Sequence, residues 1–156
     1  MNIQINPAPV RKSVTVKAKP ERAFDIFTAG MTTWWLPDHH IGQVPLKEIV
    51  AEPRPGGRWY EVGEDGSICE WGKVLVWDRP NRVVFAWQLN AAWKYDPDFV
   101  TELEVRFVPE AAGTRVELEH RNLDRYGADA AEIRRMIDSE GGWPTALVAF
   151  AAAANA

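Results

Sequence analysis

Cysteine is nearly absent from this chain: Cys69 is the only one in 156 residues. No internal disulfide can form, and a zinc centre built on thiolates is excluded. A lone cysteine within a strand-like run is far more often a small buried hydrophobe than a nucleophile, so Cys69 is assigned no chemistry. Such usage fits a reducing, cytoplasmic location. Long apolar runs are also missing, since no stretch offers the ~20 apolar residues of a spanning helix, and Met1–Pro9 has neither the basic start nor the apolar run of a secretory leader. Membrane insertion and secretion are not expected. Basic clusters are lacking as well: 18 Lys and Arg stand against 22 Asp and Glu, a formal charge of -4, and the positive residues are scattered. Without an electrostatic footprint for phosphate backbones, nucleic acid is not an expected partner. No repeat, phosphate-cradling glycine loop or nucleophile–base–acid spacing is visible, and no cofactor is expected.

What the chain has in abundance is tryptophan, eight in all: Trp34, Trp35, Trp59, Trp71, Trp77, Trp87, Trp93 and Trp143. These rings bury large areas with few rotatable bonds and carry one N–H each, so they suit core packing and pocket walls alike. With 46% hydrophobic and 26% charged residues, the composition is that of an ordered globular protein, and residues 1–156 are expected to form a single domain.

Along the chain, Arg11–Val16 alternates polar and apolar residues and reads as a strand. Pro20 opens a helix carrying Ala23, Phe24, Ile26 and Phe27 on one stripe; Gly30 stops it, and residues 31–35 begin a second short helix. Strands are expected near residues 44–52, 57–63, 67–77, 82–90, 99–108 and 113–121, separated by turn-forming Pro, Gly, Asp and Asn. From Ala128 onward helix formers return, interrupted by Gly141-Gly142 and Pro144. That interruption predicts either a kink or a helix ending about Ser139 and another starting near Trp143. The fold class is therefore α+β, an antiparallel meander packed against a C-terminal helix.

Strand alternation assigns faces. Phe99, Thr101, Leu103, Val105 and Phe107 share a face opposite Glu102, Glu104 and Arg106. Val116, Leu118 and His120 oppose Arg115, Glu117 and Glu119, and Val83, Phe85, Trp87 and Leu89 form another inward set. With Lys73 facing water, strict alternation puts Glu70, Gly72, Val74 and Val76 inside and Trp71 outside. Trp59 and Glu61 are placed inward.

The order of elements resembles the helix-grip fold of the START/SRPBCC superfamily, also called birch-pollen-allergen-like. More narrowly, Pro20–Phe27, Trp34-Trp35, Pro53–Trp59, Gly72–Trp87 and Glu140–Trp143 are similar to the family named after the activator of the heat-shock protein 90 ATPase, over about residues 10–152. That resemblance implies a curved antiparallel sheet wrapped around a long C-terminal helix, with two short helices after the first strand. It also implies a cavity between sheet and helix. The separate N-terminal chaperone-binding domain of the eukaryotic activator has no counterpart in this sequence.

A small apolar or amphipathic ligand is the expected partner, held by Trp35, Trp59, Glu70, Trp87, Leu103, Val105, Leu118, His120, Trp143 and Leu147. An alternative is a cyclase, dehydratase or hydrolase in the same cavity, with inward His120 partnered by Glu70 or Glu61. Another is a chaperone-associated protein-binding module, motivated by exposure of Trp71, Trp77 or Trp93. Asp38, His39 and His40 cluster in a loop, but adjacent side chains diverge and no spaced partners complete a ligand shell, so ordinary loop histidines are favoured over metal, with a mouth-lining role left open. A homodimer is compatible on general grounds.

Overall fold

Seven strands line up in the order β1-β7-β6-β5-β4-β3-β2 in the computed structural model, which describes residues 7–156. Most of the Met1–Pro9 segment considered for a leader thus lies outside the described residues. The strands are β1 (Val10–Val16), β2 (Leu46–Ala51), β3 (Arg58–Gly63), β4 (Ile68–Asp78), β5 (Arg82–Trp87), β6 (Thr101–Glu110) and β7 (Gly113–Arg121). Every neighbouring pair is antiparallel. The first strand pairs with the last, Val10 opposite His120 and Val14 opposite Val116, so β1 forms one edge of the sheet beside β7.

Helix α1 (Pro20–Phe27) starts with proline in its first turn and buries Ala23, Phe24 and Phe27, while α2 (Met31–Trp34) follows directly. The Trp34 indole N–H donates to the Ile26 carbonyl at 2.9 Å, fixing the angle between them. Beyond β7 come a 3₁₀ segment (Leu123–Asp129), α3 (Ala130–Asp138) and α4 (Trp143–Asn155). The chain therefore takes the second of the two expected arrangements, two separate helices. At the break, Gly141 has φ 91 and a Cβ on Gly142 would lie 2.5 Å from the Ile137 carbonyl oxygen, so larger residues are disfavoured at both positions. Pro144 then enters in the first turn of α4, where its missing N–H costs nothing. This is the α+β helix-grip arrangement, with the helices on the concave face and a core of Phe24, Phe27, Phe85, Phe150 and their aliphatic neighbours.

Strict alternation fails in β4. Trp59 pairs with Gly72 but Tyr60 with Glu70, leaving Trp71 as an extra residue; Val74 pairs with Phe85 but Val76 with Val84, leaving Leu75 extra. Each such bulge shifts the side-chain parity by one. The inward set consequently runs Trp71, Val74, Trp77 at spacings of three. Trp71 is only 2% exposed, and Trp77 packs edge-on against Phe24 with centroids 5.0 Å apart. The inward placement of Glu70 and the outward placement of Trp71 are thereby corrected: Glu70 sits on the convex face, where its Oε1 accepts from Arg58 Nε at 2.8 Å.

A Cβ on Gly72 would lie 1.7 Å from the Ala86 carbonyl oxygen, so the bulge tolerates no side chain there. Gly72→Ala is expected to lower the unfolding free energy by about 1–3 kcal/mol or more, through overpacking against backbone. Urea titration measures this, and an unchanged midpoint would refute the bulge geometry.

Candidate functional site

A pocket of about 340 Å³ opens between the Trp35–Ile41 loop, the concave side of β4 and β5, and the corner joining α3 to α4. That volume lies at the small end of the range for small-molecule sites. Its walls are an aromatic lattice. Trp35 lies 5.2 Å from Trp71 and 5.9 Å from Trp143, and Trp143 lies 5.8 Å from Trp87, centroid to centroid. Tilted and edge-to-face geometries of this kind match the ring quadrupoles and lock each ring in place. Trp93 and Met136 stand at the mouth, Trp93 being 37% exposed.

Three of the four wall indoles have their N–H occupied by protein acceptors. Trp35 donates to the His39 carbonyl at 2.7 Å, Trp71 to Glu61 Oε1 at 2.8 Å, and Trp143 to His120 Nδ1 at 3.2 Å. The Trp87 N–H is buried without a hydrogen-bond partner. What Trp35, Trp71 and Trp143 offer to the cavity is thus carbon surface.

Polar character is confined to one edge, formed by Asp38, His39 and His40. Behind it lies Glu61, buried on β3. Its carboxylate accepts three N–H groups: Ile41 at 2.6 Å, Gly42 at 3.1 Å and the Trp71 indole. His40 Nδ1 lies 3.4 Å from the second carboxylate oxygen, at ion-pair distance but longer than a good hydrogen bond. A buried charge is tolerable only when its lone pairs are used in this way.

His120 is fully buried. The Trp143 indole fills Nδ1, so the ring proton resides on Nε2 and points at Thr101 Oγ1, 2.9 Å away; the Thr101 hydroxyl in turn donates to the Trp87 carbonyl at 3.2 Å. The tautomer is assigned from these partners. Burial pushes the His120 pKa down to about 3, with no carboxylate within the network to oppose it. This imidazole is neutral and saturated, a strut that aligns β6, β7 and α4.

Of the ten residues expected to hold a ligand, Trp35, Trp87 and Trp143 line the pocket. Trp59, Leu103, Val105, Leu118 and Leu147 lie in the closed core, His120 lies beneath Trp143, and Glu70 is on the opposite face of the sheet. Trp71, His40, the mouth pair and the Gly141-Gly142 corner were absent from that set. Recognition of the β4 bulge would have found Trp71; its only signal in the sequence is a glycine following a tryptophan. Among the described residues no group of three or more His, Cys, Asp and Glu side chains is placed to hold a metal, and no helix is long and apolar enough to cross a membrane.

Residues 17–155 match the family model described as Activator of Hsp90 ATPase homolog 1-like protein. Among solved structures, the chain is similar to Txn09, described as an anthrahydroquino-gamma-pyrone synthase, at 38% identity and a TM-score of 0.66, covering 94% of this chain and 97% of that one. It is also similar to CalC, a self-sacrificing resistance protein from Micromonospora echinospora, at 36% identity and a TM-score of 0.66, with coverage of 93% and 92%. The Aha1 dimer from Colwellia psychrerythraea, at 16% identity and a TM-score of 0.64 over 96% of this chain and 97% of that one, shares the fold. No curated protein is significantly similar to this sequence.

The His120 network has a pH signature. An imidazole with an ordinary pKa of 6.5 in the unfolded chain gains a proton that the folded one refuses until about 3, so stability falls as pH drops from 6.5 toward 3. The unfolded state binds more protons throughout that window. Between pH 7 and pH 5 the wild type should lose about 2 kcal/mol from this group alone. His120→Asn, whatever its absolute stability, should lack that loss when urea unfolding is compared at the two pH values. Equal losses in both proteins would show that His120 is charged in the fold.

Proposed function

The chain belongs to the Activator of Hsp90 ATPase homolog 1-like family, and from that premise we propose that its tryptophan-walled pocket binds a small, flat, largely apolar aromatic molecule with one polar edge. The observation that carries this reading is the occupancy of the indole N–H groups. With Trp35, Trp71 and Trp143 tied to protein acceptors, the walls present ring faces and edges that stack on another aromatic system, and the Asp38–His40 edge meets its polar end. The pyrone for which Txn09 is named is a molecule of this kind, and Txn09 and CalC are both more than a third identical to this chain. The pocket is built within one chain, so the reading holds for a monomer or a homodimer. The single cysteine suits the cytoplasmic location we assign.

A cyclase-type enzyme in the same cavity is the second reading, supported by the likeness to Txn09 and by the polar edge. Its support does not come from His120 and Glu70: one is saturated and neutral, the other lies across the sheet. The chaperone-binding reading has less support, because Trp71 and Trp77 are packed inside and only Trp93 of the three is exposed.

Anthraquinone, a flat tricyclic probe, should quench the protein's tryptophan fluorescence saturably. Trp35→Ala removes a half-buried wall and should weaken binding about tenfold, the worth of one or two aromatic contacts. Absence of quenching, or undiminished affinity in that variant, would overturn the assignment.

A further inference from the structure

Among the described residues, His40 is the pocket-lining residue whose ring sets one nitrogen beside a buried carboxylate, 3.4 Å away, and neither of its nitrogens makes a hydrogen bond. Its Nδ1 is buried and faces Glu61, while the side chain as a whole stays 19% exposed, so the accessible edge is the one bearing Nε2. Glu61 cannot swing away, because the Ile41 and Gly42 amides and the Trp71 indole hold both of its oxygens. At that distance the negative oxygen favours hydrogen on Nδ1 by charge attraction, which puts the lone pair on Nε2, at the accessible edge of the ring.

Resting on the aromatic-binding reading, we propose that His40 and Glu61 form a proton-accepting pair that makes the pocket specific for aromatic ligands bearing an acidic phenolic or enolic hydroxyl. In the step itself the ligand O–H bond breaks and an N–H bond forms at His40 Nε2. The ligand becomes an oxyanion and the ring an imidazolium whose Nδ1–H points to the Glu61 carboxylate. Returning that proton to oxygen restores the ligand; returning it to a ring carbon converts enol to ketone. Either outcome conserves composition and needs no oxidant or co-reactant, so the class of reaction is proton transfer and isomerisation. His40 is the catalytic residue and Glu61 its positioning residue. The other titratable groups nearby are Asp38 and His39 on the same loop and Cys69 beside Glu61 on β4, whose thiol burial and the Glu61 charge push up and keep protonated; the α3–α4 side lines the pocket with none.

The test uses 2-hydroxyanthraquinone, whose ionised form absorbs at longer wavelength than its neutral form, and 2-methoxyanthraquinone, which has no proton to give. At pH 7 the wild type should raise the ionised-to-neutral ratio of the bound hydroxy compound about tenfold over the free compound, as expected for a cation a few ångströms away. His40→Gln should abolish that rise, with binding of both compounds to the variant confirmed by fluorescence quenching. Glu61→Gln should lose most of the rise; should it fail to fold, His40→Gln decides alone. Binding of both compounds with no difference in ionisation between wild type and His40→Gln would overturn the proton-accepting pair and leave the aromatic pocket standing. Binding of neither compound by the wild type would overturn both.

Discussion

Two single-residue bulges in β4 determine where the chemistry of this molecule can be. A strand that alternated without interruption would send Trp71 to solvent and Glu70 to the concave face, and neither the aromatic lattice nor the buried carboxylate could exist. By admitting Trp71 as an extra residue opposite Trp59 and Tyr60, the sheet turns that ring inward, where its N–H reaches Glu61. Glu61 then binds the Ile41 and Gly42 amides, which brings the 38–42 loop down onto the sheet edge and supplies the pocket with its polar rim. The second bulge, at Leu75, sends Trp77 against Phe24 and seats α1. The first adjoins Gly72, where the β5 backbone comes too close for any side chain.

The order of elements was legible in the sequence because its signals are local. Proline and glycine mark the ends of α1, α3 and α4, turn residues separate the strands, and the charged residues of β6 and β7 mark the outer face without ambiguity. The site was only partly legible, since its residues depend on events with no local signature. Leu103, Val105 and Leu118 obey alternation and do point inward, yet inward here means into a packed core that the helices close. Parity says which face a residue is on; it does not say where along that face the helices leave a gap. The gap falls beside the α3–α4 corner and the 38–42 loop, so the pocket is lined by loop and corner residues that periodicity does not address.

The two informative histidines show how one side chain serves opposite ends. His120 has both nitrogens engaged by neutral partners, Trp143 and Thr101, so desolvation acts unopposed and the ring stays uncharged. It contributes hydrogen-bond geometry, joining the strand that pairs with β1 to the start of α4. His40 has one nitrogen opposite an anion and the other at a cavity, which is the arrangement that makes proton transfer reversible. Their separation follows from placement: a histidine deep in the sheet centre must be satisfied by its neighbours, whereas one on a loop over a buried carboxylate can leave a lone pair free.

The convex face holds the sheet on which the pocket is built. Glu104, 6% exposed, is covered by Arg82, Arg106 and Arg121; burial alone would raise its pKa, but the hydrogen bonds from Arg121 and Arg82 outweigh that and hold the carboxyl below its usual range. These pairs tie β5, β6 and β7 together from outside, behind Phe85, Leu103 and His120. The opposite wall of the pocket is tied to β1 through the Lys12–Asp138 ion pair and to the segment before β1 through Arg134. It consists of the ends of two short helices joined through Gly141-Gly142, with Met136, an unbranched and polarisable side chain, at the mouth. The two walls differ in material: on one side a glycine-joined corner with Met136, on the other the interlocked tryptophans of the sheet and the rim that Glu61 holds through three N–H groups.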